Sequence, residues 1–181
     1  MNVDVVELIT EDHREVERLF EELKSAPRKR PLLVPVLAAL LTAHSRAEEA
    51  EVYPVARTEA GEADEVAHGQ EEHAQAERLL ARLVETDHDS DRFDKVLKEL
   101  VEAVTHHVEE EESTVLPRMR EHLDDRRRAE LGRVFAASRA RHLGDRPGEA
   151  GKPELLAQAR NAGVSGASAM TKEELAEQLR Q

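Results

Sequence analysis

The chain has no cysteine and very few aromatic residues. Its 181 residues include no Trp, one Tyr and three Phe. Without cysteine there are no disulfides, thiolate zinc sites, iron–sulfur clusters or Cys nucleophiles. Because aromatic residues make up only 2% of the sequence, the core has to be built from Leu, Val, Ala and Ile. That composition favours helices packed against helices over packed sheets.

Basic charge and long apolar runs are also scarce. The net charge is −13, and the excess lies in residues 1–145, because acidic and basic residues balance in the remainder. So acidic a region is a poor candidate for contact with a nucleic-acid backbone. The longest apolar run, Leu32–Leu41, is too short to cross a bilayer, and the N-terminus lacks the basic segment of a signal peptide. We therefore expect a soluble cytoplasmic protein.

Helical periodicity covers most of the first 118 residues and predicts an all-α fold. Five helices are predicted up to His142. The first covers about Val3–Leu23, the second follows Pro31 and is kinked or ended by Pro54, and the third covers about Glu62–Val84. The fourth starts near Phe93 and meets Pro117, and the fifth covers about Asp125–His142. The apolar side of the fifth helix is expected to consist of Leu131, Val134 and Phe135.

The four main helices contain an internal repeat. Residues 44–54 match residues 107–117 at five of eleven positions, and residues 11–23 match residues 71–83 at six of thirteen. The positions that are identical in the two copies include a His on the first helix of each copy and His-x-x-x-Glu on the second. The sequence therefore predicts two copies of one helical hairpin.

The repeated His and Glu residues point to a metal site. Residues four apart lie on the same face of a helix, so each His-x-x-x-Glu pair projects together, and the other two His occupy seam positions that usually hold Leu or Ile. Two buried carboxylates would repel one another, whereas a pair of cations removes that cost. The candidate ligands are His13, His44, Glu48, His73, His107 and Glu111. The alternative is a wet, splayed bundle end in which His–Glu ion pairs titrate with pH.

This pattern resembles the hemerythrin-like HHE cation-binding domain. The resemblance rests on Glu11-Asp-His13-Arg, on Glu71-Glu-His73 and on His106-His107-Val-Glu-Glu-Glu111-Glu112 followed by Leu116-Pro117. It covers residues 1 to about 120. It implies an up-down-up-down four-helix bundle around a non-haem di-iron centre, with those six residues as ligands.

The sequence also departs from the oxygen-carrying members of that family, which use a fifth His on the third helix. Here Gly69 and Glu77 stand four residues before and after His73. His68 is expected at the surface, and Tyr53 either approaches the iron or packs at the bundle end. Three further residues beside the candidate ligands have predicted supporting roles: His106 is expected to be exposed or to support a ligand, and Glu49 and Glu112 to be solvated while bonding a ligand imidazole.

The ligand count suggests three functions. With two His on each iron, bridging Glu48 and Glu111, and one oxo or hydroxo bridge, each iron is five-coordinate and has an open position. The first hypothesis is a protein that binds or senses O₂ or NO. The second is a di-iron redox enzyme that disproportionates peroxide, reduces NO or repairs iron centres, and the third is an iron-holding bundle. Imidazole-rich ligation favours iron, although zinc and manganese remain possible.

The C-terminal part is predicted to be a separate small module. Residues 1–143 would form the bundle with its trailing helix, residues 144–152 a Gly- and Pro-rich linker, and residues 153–181 a helix–loop–helix. The helix–loop–helix resembles the N-terminal module of transcription terminator Rho and the SAP-type fold, which implies nucleic-acid binding. Because this copy has no basic stripe, a docking or protein-interaction role is an equal alternative.

Overall fold

The computed structural model of the chain describes residues 3–180, and within them the backbone forms helices and no strand. The α-helices, numbered in chain order, are α1 (Val5–Ser25), α2 (Arg30–Ala47), α3 (Tyr53–Glu59), α4 (Ala63–Val84), α5 (Asp91–Ser113), α6 (Val115–His122), α7 (Asp125–His142), α8 (Lys152–Asn161) and α9 (Lys172–Gln178). Helices α1, α2, α4 and α5 form an up-down-up-down bundle, which confirms the predicted all-α fold. No helix in the described residues has the length and apolar character needed to cross a membrane.

Side-chain caps set the start of several helices. Asp4 accepts a hydrogen bond of 2.8 Å from the backbone N–H of Val6, so α1 begins two residues later than its expected start at Val3. Ser90 caps α5 in the same way, and Asp124 caps α7. Each cap satisfies a backbone donor that has no partner within its own helix.

The two prolines of the repeat lie where one helix ends and the next begins. Between α2 and α3 the chain makes a π-helical turn, Glu48–Val52, and Pro54 falls in the first turn of α3. Between α5 and α6 the backbone breaks at Thr114, and Pro117 falls in the first turn of α6. A proline is tolerated there because the first backbone N–H groups of a helix have no helical partner.

The bundle core consists of two apolar clusters with a polar layer between them. One cluster includes Leu37, Leu83, Phe93 and Leu100, and the other includes Val5, Ile9, Val66 and Phe135. Along α1, for example, Ile9 belongs to the second cluster and Val16 to the first, and His13 lies between them. The polar layer is therefore shielded by apolar side chains on both sides.

Helix α7 packs across α1 and α2 and closes one side of the bundle. Leu131 and Phe135 are buried as expected, but Val134 is 42% exposed, so its predicted place in the apolar side was wrong. The buried stripe of α7 continues through Gly132 and Ser138, and Val134 lies at its edge. A Cβ on Gly132 would collide with the carbonyl oxygen of Val3, so the glycine allows the close approach of α7 to the start of the bundle.

Helices α8 and α9 share a small core of their own. It contains Leu155, Ala159, Ala167 and Leu175, and a capping box at Thr171 opens α9. Helix α8 also packs against the π-helical turn and α4. The division of the chain into a bundle, a linker and a module stays a prediction.

Candidate metal centre

The structure brings all six candidate ligands into the polar layer of the bundle. They come from α1, α2, the π-helical turn, α4 and α5, and none is more than 7% exposed. The six are His13, His44, Glu48, His73, His107 and Glu111. Two hairpins that carry the same motif thus place their polar side chains in one buried region, because the motif occupies equivalent positions in both copies.

Glu48 lies at the middle of this group. One of its oxygens, Oε2, is 3.3 Å from His44 Nε2 and 3.3 Å from His73 Nε2. Two sets of side chains are close enough to hold one ion each, and Glu48 belongs to both: His13, His44 and Glu48 form the first, and Glu48, His73 and His107 form the second. A carboxylate shared in this way is placed to bridge two cations.

Glu111 faces the same region from α5. Its Oε2 lies 3.3 Å from His13 Nε2 and 3.9 Å from His107 Nε2, so it contacts one imidazole from each hairpin. The Nε2 atoms of His73 and His107 are 3.0 Å apart. Imidazole nitrogen and carboxylate oxygen atoms from both hairpins therefore converge on one buried region.

Each of the four imidazoles is oriented by a carboxylate on its Nδ1 atom. The pairs are His13 with Glu112 (2.8 Å), His44 with Asp12 (3.1 Å), His73 with Glu49 (3.3 Å) and His107 with Glu72 (2.9 Å). A carboxylate on Nδ1 holds the proton there and leaves the Nε2 lone pair free for a metal. All four Nε2 atoms then face the centre.

These carboxylates test the supporting roles that the sequence predicts for Glu49 and Glu112. Glu112 and Glu49 bond a candidate ligand imidazole, as expected. Glu49 was also expected to be solvated, and this was wrong: it is 3% exposed, because α8 covers it. Asp12 and Glu72 were missed. Both precede a candidate ligand, His13 and His73 respectively, at the same position of the repeat, and that shared acidic position was the available signal.

The centre contains buried polar atoms that the described residues leave without hydrogen-bond partners. They are both oxygens of Glu48, both oxygens of Glu111 and Nε2 of His13. Burying an ionised carboxylate without compensation costs several kcal/mol. Cations held by these oxygens and by the imidazole nitrogens would remove that cost, so the donor set fits a dinuclear metal site.

Protons compensate part of this charge when no metal is bound. Burial opposes protonation of His44, but the charges of Glu48 and Asp12 outweigh it and raise the pKa of the imidazole to about 10. Burial also opposes protonation of His73, but hydrogen bonds with Glu48 and Glu49 and their negative charges outweigh it and raise the pKa of this imidazole to about 10. Burial favours protonation of Glu48, yet the two imidazolium groups hold its pKa well below the ordinary value.

Tyr53 occupies the space beside Gly69, which stands four residues before His73 on α4. Its hydroxyl lies 3.1 Å from His73 Nε2, and the side chain is 1% exposed. A Cβ on Gly69 would lie 2.9 Å from this hydroxyl, so the missing side chain at residue 69 makes room for the phenol. Burial and the nearby carboxylates, Glu111 first among them, raise the pKa of Tyr53 well above 10, so the phenol stays protonated.

The remaining histidines lie outside the centre. His68 and His106 have side chains that are 49% and 61% exposed, as expected for both. His106 also contacts Glu72, the carboxylate that orients His107. His122 has a side chain that is 39% exposed and lies in α6, away from the polar layer.

A small cavity of about 20 Å³ adjoins all four imidazoles. Its other walls include the apolar side chains of Val16, Leu41, Val104 and Val108. A space of this size takes about one water molecule. It is therefore too small for an organic substrate.

Comparison with known proteins agrees with this geometry. A family model described as the hemerythrin HHE cation-binding domain matches residues 4–119. A curated relative from Nostoc sp., named as a DNA nickase, is 28% identical over 142 residues, which are 77% of this chain and 40% of the relative. The chain thus spans less than half the length of that relative. No solved structure matches the chain.

Proposed function

We propose that this chain, which belongs to the hemerythrin HHE cation-binding domain family, holds two iron ions and binds or senses O₂ or NO. The observation that carries the proposal is the convergence of four imidazole nitrogens on two carboxylates whose oxygens have no partner among the described residues. Imidazole-rich donor sets suit iron, and they also suit zinc or manganese.

In this proposal each ion has its own pair of imidazole ligands, and the two ions share two carboxylates. His13 and His44 would bind one ion and His73 and His107 the other, with Glu48 and Glu111 shared between them. Iron in this site would supply open coordination positions and a reversible one-electron couple. The four carboxylates on Nδ1 fix the imidazole rings, so the donor geometry is in place before an ion arrives.

The size and lining of the cavity favour a small ligand. Four imidazoles and apolar side chains surround about 20 Å³, and charged groups other than the candidate ligands do not line it. Apolar walls exclude bulk water, which protects a bound diatomic ligand from proton-driven loss. This supports binding or sensing of O₂ or NO over chemistry on a larger substrate.

Tyr53 favours a second candidate function, a redox enzyme that disproportionates peroxide or reduces NO. Its protonated hydroxyl lies 3.1 Å from His73 Nε2, inside the buried layer. A phenol at this place can donate a hydrogen bond or a proton to a ligand, which turnover requires and simple storage of iron does not. A third possibility is an iron-holding bundle with no ligand chemistry.

Metal analysis and rapid mixing separate these functions. Protein loaded anaerobically with Fe(II) is mixed with O₂, NO and H₂O₂ in a stopped-flow spectrometer. A stable new spectrum with O₂ or NO supports binding or sensing, evolution of O₂ from H₂O₂ supports the enzyme, and no response supports the iron-holding role. The His107→Ala variant should lose iron whereas His122→Ala should not, and circular dichroism checks that both remain helical. Two full equivalents of iron in His107→Ala would contradict the ligand assignment.

The name of the Nostoc relative, a DNA nickase, suggests one further experiment. Nicking of DNA needs contact with a polyanionic backbone, and a chain with a net charge of −13 opposes such contact. Supercoiled plasmid incubated with the iron-, manganese- or zinc-loaded protein should therefore stay intact. A nicked product that disappears in His107→Ala would replace the binding proposal with a metal-dependent nuclease.

We also propose the division of the chain into a bundle over residues 1–143, a linker over 144–152 and a module over 153–181. The contacts of α8 with the π-helical turn favour a docking role for the module over nucleic-acid binding. The module has three basic and four acidic residues, which gives it no basic surface stripe.

A further inference from the structure

A second cluster of imidazoles and carboxylates lies on the surface, outside the buried centre. His68 and Glu72 stand one turn apart on α4, and His106 and Glu110 stand one turn apart on α5. Both pairs have the His-x-x-x-Glu spacing of the buried candidate ligands, so each pair presents its donors on one face of its helix. Because α4 and α5 are neighbours in the bundle, the two pairs face each other.

The donor atoms of this cluster are already close together. His68 Nε2 lies 3.1 Å from Glu110 Oε2 and 3.7 Å from Glu72 Oε1. His106 lies between the same two carboxylates, with Nδ1 2.9 Å from Glu72 Oε1 and Nε2 3.5 Å from Glu110 Oε1. One donor atom each from His68, Glu72 and Glu110 lies within 4.8 Å of the others, a spacing that one ion can span.

Glu72 connects the cluster to the buried centre. Its Oε1 atom contacts His106 on the surface, and its Oε2 atom lies 2.9 Å from Nδ1 of His107. A small cleft is lined by His68, Glu72 and Glu110 of the cluster and also by the buried pair His107 and Glu111. Gly69 also lines this cleft and has no side chain to fill it. Glu72 thus contacts both the surface cluster and one candidate ligand of the buried centre.

We propose that His68, Glu72, His106 and Glu110 bind one divalent transition-metal ion at the surface, and that this ion passes through the adjoining cleft to the buried centre. Two imidazoles and two carboxylates suit Fe²⁺, Zn²⁺ or Mn²⁺. Two of the donors are well exposed, so ions in solution reach them directly, and the negative charge of the chain attracts cations to them. The surface site stands on its own geometry, whereas the transfer step rests on the proposed function of the buried centre.

The surface site is tested by counting bound metal. Equilibrium dialysis against Zn²⁺ compares the parent protein with His68→Ala/His106→Ala, and then compares both in a His73→Ala/His107→Ala background. The surface substitutions should remove one zinc equivalent in each background, and in the second background the loss cannot come from His107, the buried imidazole that Glu72 contacts. Equal zinc content with and without the surface substitutions would overturn the site. A buried centre that bound no metal would leave this one-equivalent difference intact, so the two failures are distinguishable.

The transfer step is tested by the rate of filling. Anaerobic Fe²⁺ is mixed with metal-free protein, and uptake into a form resistant to a fast external chelator is followed over time. The His68→Ala/His106→Ala variant should fill about tenfold more slowly, because the two imidazoles that hold the ion beside the cleft are gone and its local concentration there falls. His122→Ala, another exposed His, should fill at the parent rate. Equal filling rates in the surface variant and the parent would overturn the transfer step.

Discussion

Gln158 donates a hydrogen bond of 3.0 Å to Oε2 of Glu49, although 109 residues separate the two along the chain. The other carboxylate oxygen of Glu49, Oε1, accepts a hydrogen bond from Gln70 and lies 3.3 Å from Nδ1 of His73. Asn161, one turn further along α8, donates to the backbone carbonyl of Glu49. Helix α8 therefore fixes a carboxylate that in turn orients a candidate ligand.

Removing these contacts should weaken metal binding without touching a ligand. In Gln158→Ala/Asn161→Ala, Glu49 loses two of its donors, so its hold on His73 becomes less defined. We expect the metal affinity to fall about tenfold, at the low end for loss of groups that orient a ligand. Competition with a chromophoric chelator measures the affinity. Gln178→Ala on the exposed side of α9 is the matched control. An unchanged metal affinity in the double variant would show that the contacts of α8 do not influence metal binding.

Gly69 and Tyr53 should show energetic coupling. An Ala side chain at residue 69 would lie 2.9 Å from the Tyr53 hydroxyl, and such overpacking typically costs about 1–3 kcal/mol. The opposing gain from replacing a helical Gly with Ala is roughly 1 kcal/mol. Gly69→Ala should therefore lower the free energy of unfolding in the parent and raise it in a Tyr53→Phe background, where the hydroxyl is gone. Urea unfolding of the four proteins measures this cycle. Equal effects in the two backgrounds would show that the contact carries no strain.

The sequence predicted the bundle and the convergence of the six His and Glu residues because both depend on periodicity within single helices. A spacing of four residues fixes the relation between His44 and Glu48 before any packing is known. The duplication of the hairpin then fixes their relation to His107 and Glu111. That these residues bind metal stays a prediction.

The features that the sequence left open depend on contacts between distant segments. Tyr53 meets Gly69 because a π-helical turn leads the chain from α2 into α3; Pro54 marks a distortion there, but it does not show where the turn places the phenol. Glu49 is buried because α8 returns to cover it. Asp12 differs: it stands at the same repeat position as Glu72, so a closer comparison of the two copies would have identified both.

Metal binding should release protons near neutral pH. In the metal-free protein the pKa values of His44 and His73 are raised from 6.5 to about 10, so both imidazoles carry a proton that a metal has to displace. Affinity should accordingly rise with pH until the solution reaches about 10. The stability of the metal-free fold has the opposite pH dependence. The stabilisation from these raised pKa values is fully present below pH 6.5 and is lost as the pH rises through about 10. Calorimetry in buffers with different ionisation enthalpies counts the released protons. A binding enthalpy independent of the buffer would contradict the prediction.

Phe135 of α7 should stabilise both the bundle and the centre. Its side chain is fully buried, and its ring meets that of His44 edge-on with centroids 6.0 Å apart. The same helix carries Arg139, which pairs with Asp12, the carboxylate that orients His44. Phe135→Ala should lower the free energy of unfolding of the metal-free protein by about 3–5 kcal/mol in urea titrations, the usual cost of a buried Phe cavity.

The neighbouring Val134 supplies the control for this change, because it lies on the same helix but is 42% exposed. Val134→Ala should stay within about 0.5 kcal/mol of the parent, as exposed substitutions usually do. Phe135→Ala should also weaken metal binding, because the space left beside the imidazole lets His44 depart from the orientation set by Asp12, whereas Val134→Ala should not. If the two variants had equal stability and equal metal affinity, α7 would be a passive covering helix with no part in holding the centre.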